Sequence, residues 1–107
     1  MTLPDQPFVH HVYFWLKDPS DSAARDGIIA GLTKLKAAPD ILWSHIGIPA
    51  PSPRGVVDGS YAVSWLVLLA DKAAEDRYQV DPVHLEFVDT CAHHWDRVIV
   101  YDSVQFG

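Results

Sequence analysis

Six histidines, four tyrosines and a single cysteine are the side chains of this 107-residue chain best suited to moving a proton or attacking carbon. His84 is the most informative of them. It follows Asp81-Pro82-Val83 and precedes Leu85, Val88, Ala92 and Trp95, which recur at helical spacing as an apolar face. On that wheel His84 falls at the edge of the face beside Cys91, while Glu86, Asp89 and His93 fall opposite. The imidazole is therefore expected to point toward a sheet, into a partly apolar space where its pKa is open to tuning near neutrality. The plainer alternative is a core histidine satisfied by a backbone carbonyl. Tyr78 lies six residues earlier, and its phenol can orient a substrate oxygen or hold His84 in register. Its plainer reading is a half-buried tyrosine at a helix boundary. His10 and His11 are neighbours in an apolar stretch, so in a strand they face opposite ways.

Other chemistries lack their residues. No His-x3-His, His-Glu-x-x-His or Cys-x-x-Cys spacing occurs, so no metal site is predicted. Neither a glycine-rich phosphate loop nor a Gly-x-Ser-x-Gly elbow is present. Cys91 sits on or near the apolar helical face without a basic neighbour, which reads as packing. The four tryptophans read as core and interface rather than as a cofactor box.

These side chains must be held by strands and helices that the sequence marks out. Phe8 to Leu16, Ile41 to Ile48, Tyr61 to Leu69 and Val98 to Phe106 are rich in aromatic and β-branched residues and read as strands. The proline-rich segment Pro49-Ala50-Pro51-Ser52-Pro53-Arg54-Gly55 is a loop. Asp18-Pro19 and Asp81-Pro82 each place a capping oxygen before a proline, predicting two helix starts. Ala24, Ile28, Leu32 and Leu35 form the stripe of the first helix; a short helix over Lys72 to Arg77, capped by Asp71, precedes the second. The order β-α-β-β-α-β predicts an α+β, ferredoxin-like domain over residues 8–107, with a four-stranded antiparallel sheet after a short N-terminal extension, residues 1–7.

A sheet with one wet face alternates apolar and polar residues, and here the alternation fails. In the first strand Phe8, His10, Val12, Phe14 and Leu16 lie on one face, and Val9, His11, Tyr13 and Trp15 on the other. The third strand is likewise apolar on both sides. Two helices cover one face, so the second needs another cover, and a symmetric copy of the same sheet is the simplest. A homodimer is therefore expected. The net charge of −6 and the lack of a basic stripe argue against a nucleic-acid partner, and the longest apolar run is far too short to span a bilayer. The first seven residues lack the basic and apolar blocks of a signal peptide, so a cytoplasmic location is expected.

The pattern resembles a known family. His11-Val12-Tyr13-Phe14-Trp15, the Asp58-Gly59-Ser60-Tyr61 opening of the third strand and, above all, Tyr78-Gln79-Val80-Asp81-Pro82-Val83-His84 are similar to the stress-responsive A/B barrel (Dabb) domain. The last segment matches that family's Tyr-x-x-His-Pro-x-His, with Asp81 in place of its first histidine. The resemblance covers nearly the whole chain and implies two sheets facing each other as a dimeric α/β barrel, with helices outside. It further implies that His84 matches the general base of polyketide cyclase members and that His11 matches a pocket histidine. If the face carrying Val9, His11 and Tyr13 meets the helices, His11 and His84 converge; if it meets a partner, His10 takes the pocket position. Gly31, Leu32 and Thr33 stand where a cyclase member supplies a pocket tyrosine, so one donor for aldol chemistry is missing.

Two functions follow from different classes. The first is an enzyme without organic cofactor, in which His84 moves a proton while Tyr78 and His11 position a small apolar, carbonyl-bearing substrate. The second is a non-catalytic, stress-associated binding or assembly barrel. A third, a cofactor-free or haem-handling monooxygenase of a related dimeric barrel family, lacks an axial-ligand motif.

Overall fold

The computed structural model describes residues 3–107; Met1 and Thr2, part of the expected N-terminal extension, lie outside the described residues. The elements run β1 (Phe8–Leu16), α1 (Ser22–Leu35), β2 (Trp43–Gly47), β3 (Val63–Leu69), α2 (Lys72–Val80), α3 (Pro82–Cys91), a 3-10 turn over Ala92–His94, and β4 (Trp95–Ser103). The strands form one antiparallel sheet in the order β2-β3-β1-β4, the arrangement a ferredoxin-like chain requires. Among the described residues no helix is long and apolar enough to cross a membrane.

Asp71 and Asp81 cap their helices as expected, accepting from Ala74 N and Val83 N at 2.9 Å, and Pro82 opens α3. The start of α1 differs. Asp21 is its cap, accepting from Ala24 N, whereas Asp18 accepts from the backbone N and hydroxyl of Ser20. Asp18 therefore closes a turn of its own, and the helix begins three residues later than expected, at Ser22.

α3 also differs from expectation. Its buried side chains are Phe87 and Cys91, while Leu85 is 54% exposed and Val88 is partly exposed. The helix turns this face inward because α1 presents Gly27 and Gly31 to it. A Cβ at Gly31 would lie 2.4 Å from Cys91 Sγ, so the two helices meet only where that atom is missing. Trp95, expected on the helix, instead begins β4, three residues before the predicted strand start. It still packs in the same core, with ring centroids 5.0 Å from Phe14 and 5.7 Å from Phe87.

One face of the sheet is closed by α1, α2 and α3. Phe8, His10, Val12, Phe14 and Leu16 of β1, with Val63, Trp65, Val67 and Leu69 of β3, are buried beneath them against Ile28, Leu32 and Leu35. Each such aliphatic side chain contributes roughly 1.5–3 kcal/mol on burial, which is what holds α1 on the sheet. The opposite face carries Val9, His11, Tyr13 and Trp15, flanked by Leu66 and Leu68 of β3 and by Ile99 and Tyr101 of β4. The loop after β2 reaches the Trp15 corner of that face, where Trp15 Nε1 donates to Ser60 Oγ at 3.0 Å.

Candidate functional site

A cavity of about 130 Å³ lies between the sheet and the helix layer, beside β1 and β4. Val12, Phe14, Trp65, Phe87 and Trp95 make its apolar walls, and His10, Tyr78 and His84 its polar end. Val88 and Val100, both partly exposed, line it where α3 leaves β4 uncovered. A wider cleft of about 220 Å³ runs between α1 and α3, lined by Gly27, Gly31, Lys34 and Glu86, and does not reach His10 or Tyr78.

His10, not His11, is the histidine of β1 on this side. The pleat of β1 sends His10 inward with Val12 and Phe14, leaving it 4% exposed. Its cross-strand neighbour on β4 is Asp102, and His10 Nδ1 lies 2.6 Å from Asp102 Oδ1. His11 faces the other way, stacked on Tyr13 at a centroid distance of 4.4 Å, with its Nδ1 3.2 Å from the Tyr13 hydroxyl. Burial first, then the neighbouring His45 and His10, lower the pKa of His11.

Tyr78 stands between the two cavity histidines. Its ring centroid is 5.8 Å from that of His10 and 4.8 Å from that of His84, both edge-on. It is 1% exposed inside the last turn of α2, not half-buried at a boundary. Its hydroxyl accepts from Trp65 Nε1 at 3.1 Å, and burial pushes its pKa up to about 12 despite that bond. The phenol is thus held neutral, as a donor.

His84 occupies the third position of α3, fixed by the Asp81 cap and Pro82. Its Nδ1 is buried and makes no hydrogen bond. Burial lowers its pKa, partly opposed by the main chain of Gln79. Nδ1 is therefore a polar atom at the cavity without a protein ligand, although the main chain of Gln79 lies close enough to the ring to act on it.

Glu75, one turn before Tyr78, is also buried and accepts from Lys72 Nζ at 3.3 Å and Gln79 Nε2 at 3.4 Å. The donor atoms of His10, Glu75 and Asp102 lie within 4.8 Å of one another, the one trio among the described residues placed to hold a cation. Its members are also bonded to one another or to Lys72 and Gln79. Trp65, Glu75 and Asp102 escape a reading by motif. A signal for Asp102 is present, because it continues the alternate-residue series Val98, Val100 with a carboxylate where an apolar side chain is expected.

The stress responsive A/B barrel domain profile matches residues 8–105. No curated protein matches the chain in sequence. Among solved structures, the chain is similar to a Dabb family protein with a ferredoxin-like fold from Mesorhizobium loti: 26% identity, 96% of this chain and 100% of that one, TM-score 0.76. It is also similar in fold to a dimeric ferredoxin-like protein from Thermobifida fusca, at 18% identity over 98% of this chain and 96% of that one, TM-score 0.77. A hydroxynitrile lyase from Passiflora edulis is 20% identical, with 96% of each chain covered and a TM-score of 0.76.

Proposed function

Because the chain belongs to the stress responsive A/B barrel (Dabb) family, we propose that it works as a homodimer whose protomers each bind a small apolar, carbonyl-bearing molecule and move a proton on it without an organic cofactor. The observation that carries this reading is the convergence of His10, Tyr78 and His84 on one apolar cavity. Such a cavity suits a ligand with an apolar body and one polar end. Its size sets a limit: an engineered cavity of about 150 Å³ admits benzene, so a molecule of about one ring is the right scale here. His10 takes the role first expected of His11. The uncovered aromatic face of the sheet supports the dimer, as does the dimeric Thermobifida fusca relative. A hydroxynitrile lyase among proteins of this fold favours a catalytic barrel over a purely structural one.

Titration with a one-ring ketone such as cyclohexanone tests the reading, followed by NMR of the aromatic and imidazole signals. His10, Tyr78 and His84 are expected to shift together and saturably, and Tyr78→Phe to weaken binding about five- to thirtyfold, the loss of one hydrogen bond to a carbonyl oxygen. Shifts confined to surface histidines such as His93 would leave the family fold without a ligand site here.

A further inference from the structure

The two cavity histidines are not equivalent, and the hydrogen bonds divide their labour. A neutral imidazole has one N–H and one bare nitrogen, and which is which follows from the bond the other makes. A carboxylate accepts, so the 2.6 Å contact with Asp102 places the proton of His10 on Nδ1. Nε2 is then the bare nitrogen, on a ring that lines the cavity. When it takes a proton, the imidazolium that forms rests against a carboxylate, the arrangement by which an acid orients a catalytic histidine. His84 has no such support. Its Nδ1 has no partner, and no carboxylate bonds to its ring among the described residues.

Tyr78 is fixed by its own hydrogen bond. The indole nitrogen of Trp65 can only donate, so the Tyr78 oxygen accepts there and must send its own proton elsewhere. No side chain among the described residues receives it. Trp65 therefore leaves the phenol of Tyr78 with an unused donor beside the cavity, close to where a ligand oxygen would rest.

We propose that His10, oriented by Asp102, is the base of this site, and that Tyr78, oriented by Trp65, is the donor to the oxygen on which charge develops. This rests on the proton-transfer reading above and departs from the resemblance, which puts the base at His84. His84 remains a pocket wall with one free polar atom. The substrate class is a small ketone or aldehyde with a C–H bond next to the carbonyl. In the step, that C–H bond breaks and its proton passes to His10 Nε2. The electron pair moves into the carbonyl group, giving an enolate whose oxygen accepts from the Tyr78 hydroxyl. Return of a hydron from Nε2 to carbon restores both partners, so no oxidant or second substrate is needed. Asp102 and Trp65 are positioning residues, since neither touches the reacting atoms.

Hydron exchange at the α-carbon of cyclohexanone in D2O, followed by proton NMR, reads this step directly. The wild-type protein is expected to exchange faster than buffer, and His10→Gln to lose about a hundredfold or more, the usual contribution of a positioned base. Asp102→Asn should fall at least about tenfold in kcat with little change in KM, since an amide cannot support the imidazolium as a carboxylate does. Trp65→Phe should also lower kcat, and His84→Gln should cost less than His10→Gln. A second measurement needs no variant: nitrogen-15 shifts of the wild-type imidazoles should show the His10 proton on Nδ1 and a bare Nε2. A proton on Nε2 instead, or a larger loss in His84→Gln than in His10→Gln, overturns the assignment and leaves the proton-transfer reading standing. No exchange by the wild type above buffer removes both.

Discussion

His84 and His11 have pKa values below the ordinary imidazole range, each first because of burial. For both, the folded protein holds the neutral form more tightly than the unfolded chain does. Below the ordinary value, about 6.5, the unfolded chain therefore binds more protons, and stability must fall as pH falls. The contribution is fully present above that value and is lost as the pH drops through it toward the lowered folded values. Chemical denaturation at pH 7 and pH 5 is expected to show a lower midpoint at pH 5. His84→Gln, which cannot titrate, should narrow the gap between the two midpoints. An unchanged gap in that variant would mean that His84 is free to take a proton in the folded state, and the unpartnered Nδ1 would need a different account. The same burial keeps the His84 ring neutral and leaves its Nδ1 open toward the cavity.

The contact between α1 and α3 positions His84, and it depends on an atom that is absent. Gly31 sits in the middle of α1, where alanine would ordinarily be favoured by about 1 kcal/mol. Its missing Cβ is filled by Cys91 Sγ and the ring of Phe87, which would lie 2.4 Å and 3.0 Å from it. Overpacking a close contact costs about 1–3 kcal/mol, so Gly31→Ala should lower stability on balance despite its better helix propensity. Cys91→Ala in the same chain should restore part of the loss, measured by thermal or denaturant midpoints. If Gly31→Ala raises the midpoint instead, the helices have room to separate and α3 is not fixed by this contact. Such a close approach leaves only a glycine in the sequence, so helical spacing alone points to the wrong face of α3. Leu85 and Val88 are apolar and at helical spacing, yet the small residues of α1 draw in Phe87 and Cys91. Element order and the Asp71 and Asp81 caps could be read in advance because each is a local signal. The start of α1 could not, since Asp18 and Asp21 both precede helix-compatible residues and only the competing turn at Ser20 separates them. For His10 and His11 the difficulty was parity. A strand apolar on both faces gives no sign of which face meets the helices, and only the packing of the helices over Phe8, His10, Val12 and Phe14 decides it.

That doubly apolar sheet governs the molecule as a whole. On its uncovered face Tyr13 packs edge-on against Tyr61 and Tyr101, with centroids 4.9 Å and 6.1 Å away, and Trp43 stacks on His45. Leu68 lies among them, paired with Val9 on β1 and Trp43 on β2. A contiguous apolar surface of this kind marks an interface, and in a two-fold dimer the same patch serves both protomers. The cavity lined by His10, Tyr78 and His84 lies on the other side of the sheet, so the uncovered face and that cavity are separate surfaces. Light scattering at micromolar concentration is expected to give twice the 11.9 kDa chain mass. Because association stabilises only folded protomers, the melting temperature should rise with protein concentration. Leu68→Lys places a charge on the uncovered face without touching Val67 or Leu69, which point into the core. It should lower the apparent mass toward that of one chain and abolish the concentration dependence of melting. A wild-type protein that scatters as one chain and melts at the same temperature at every concentration would show that this face stays open to water. The aromatic surface would then require an occupant other than a second copy.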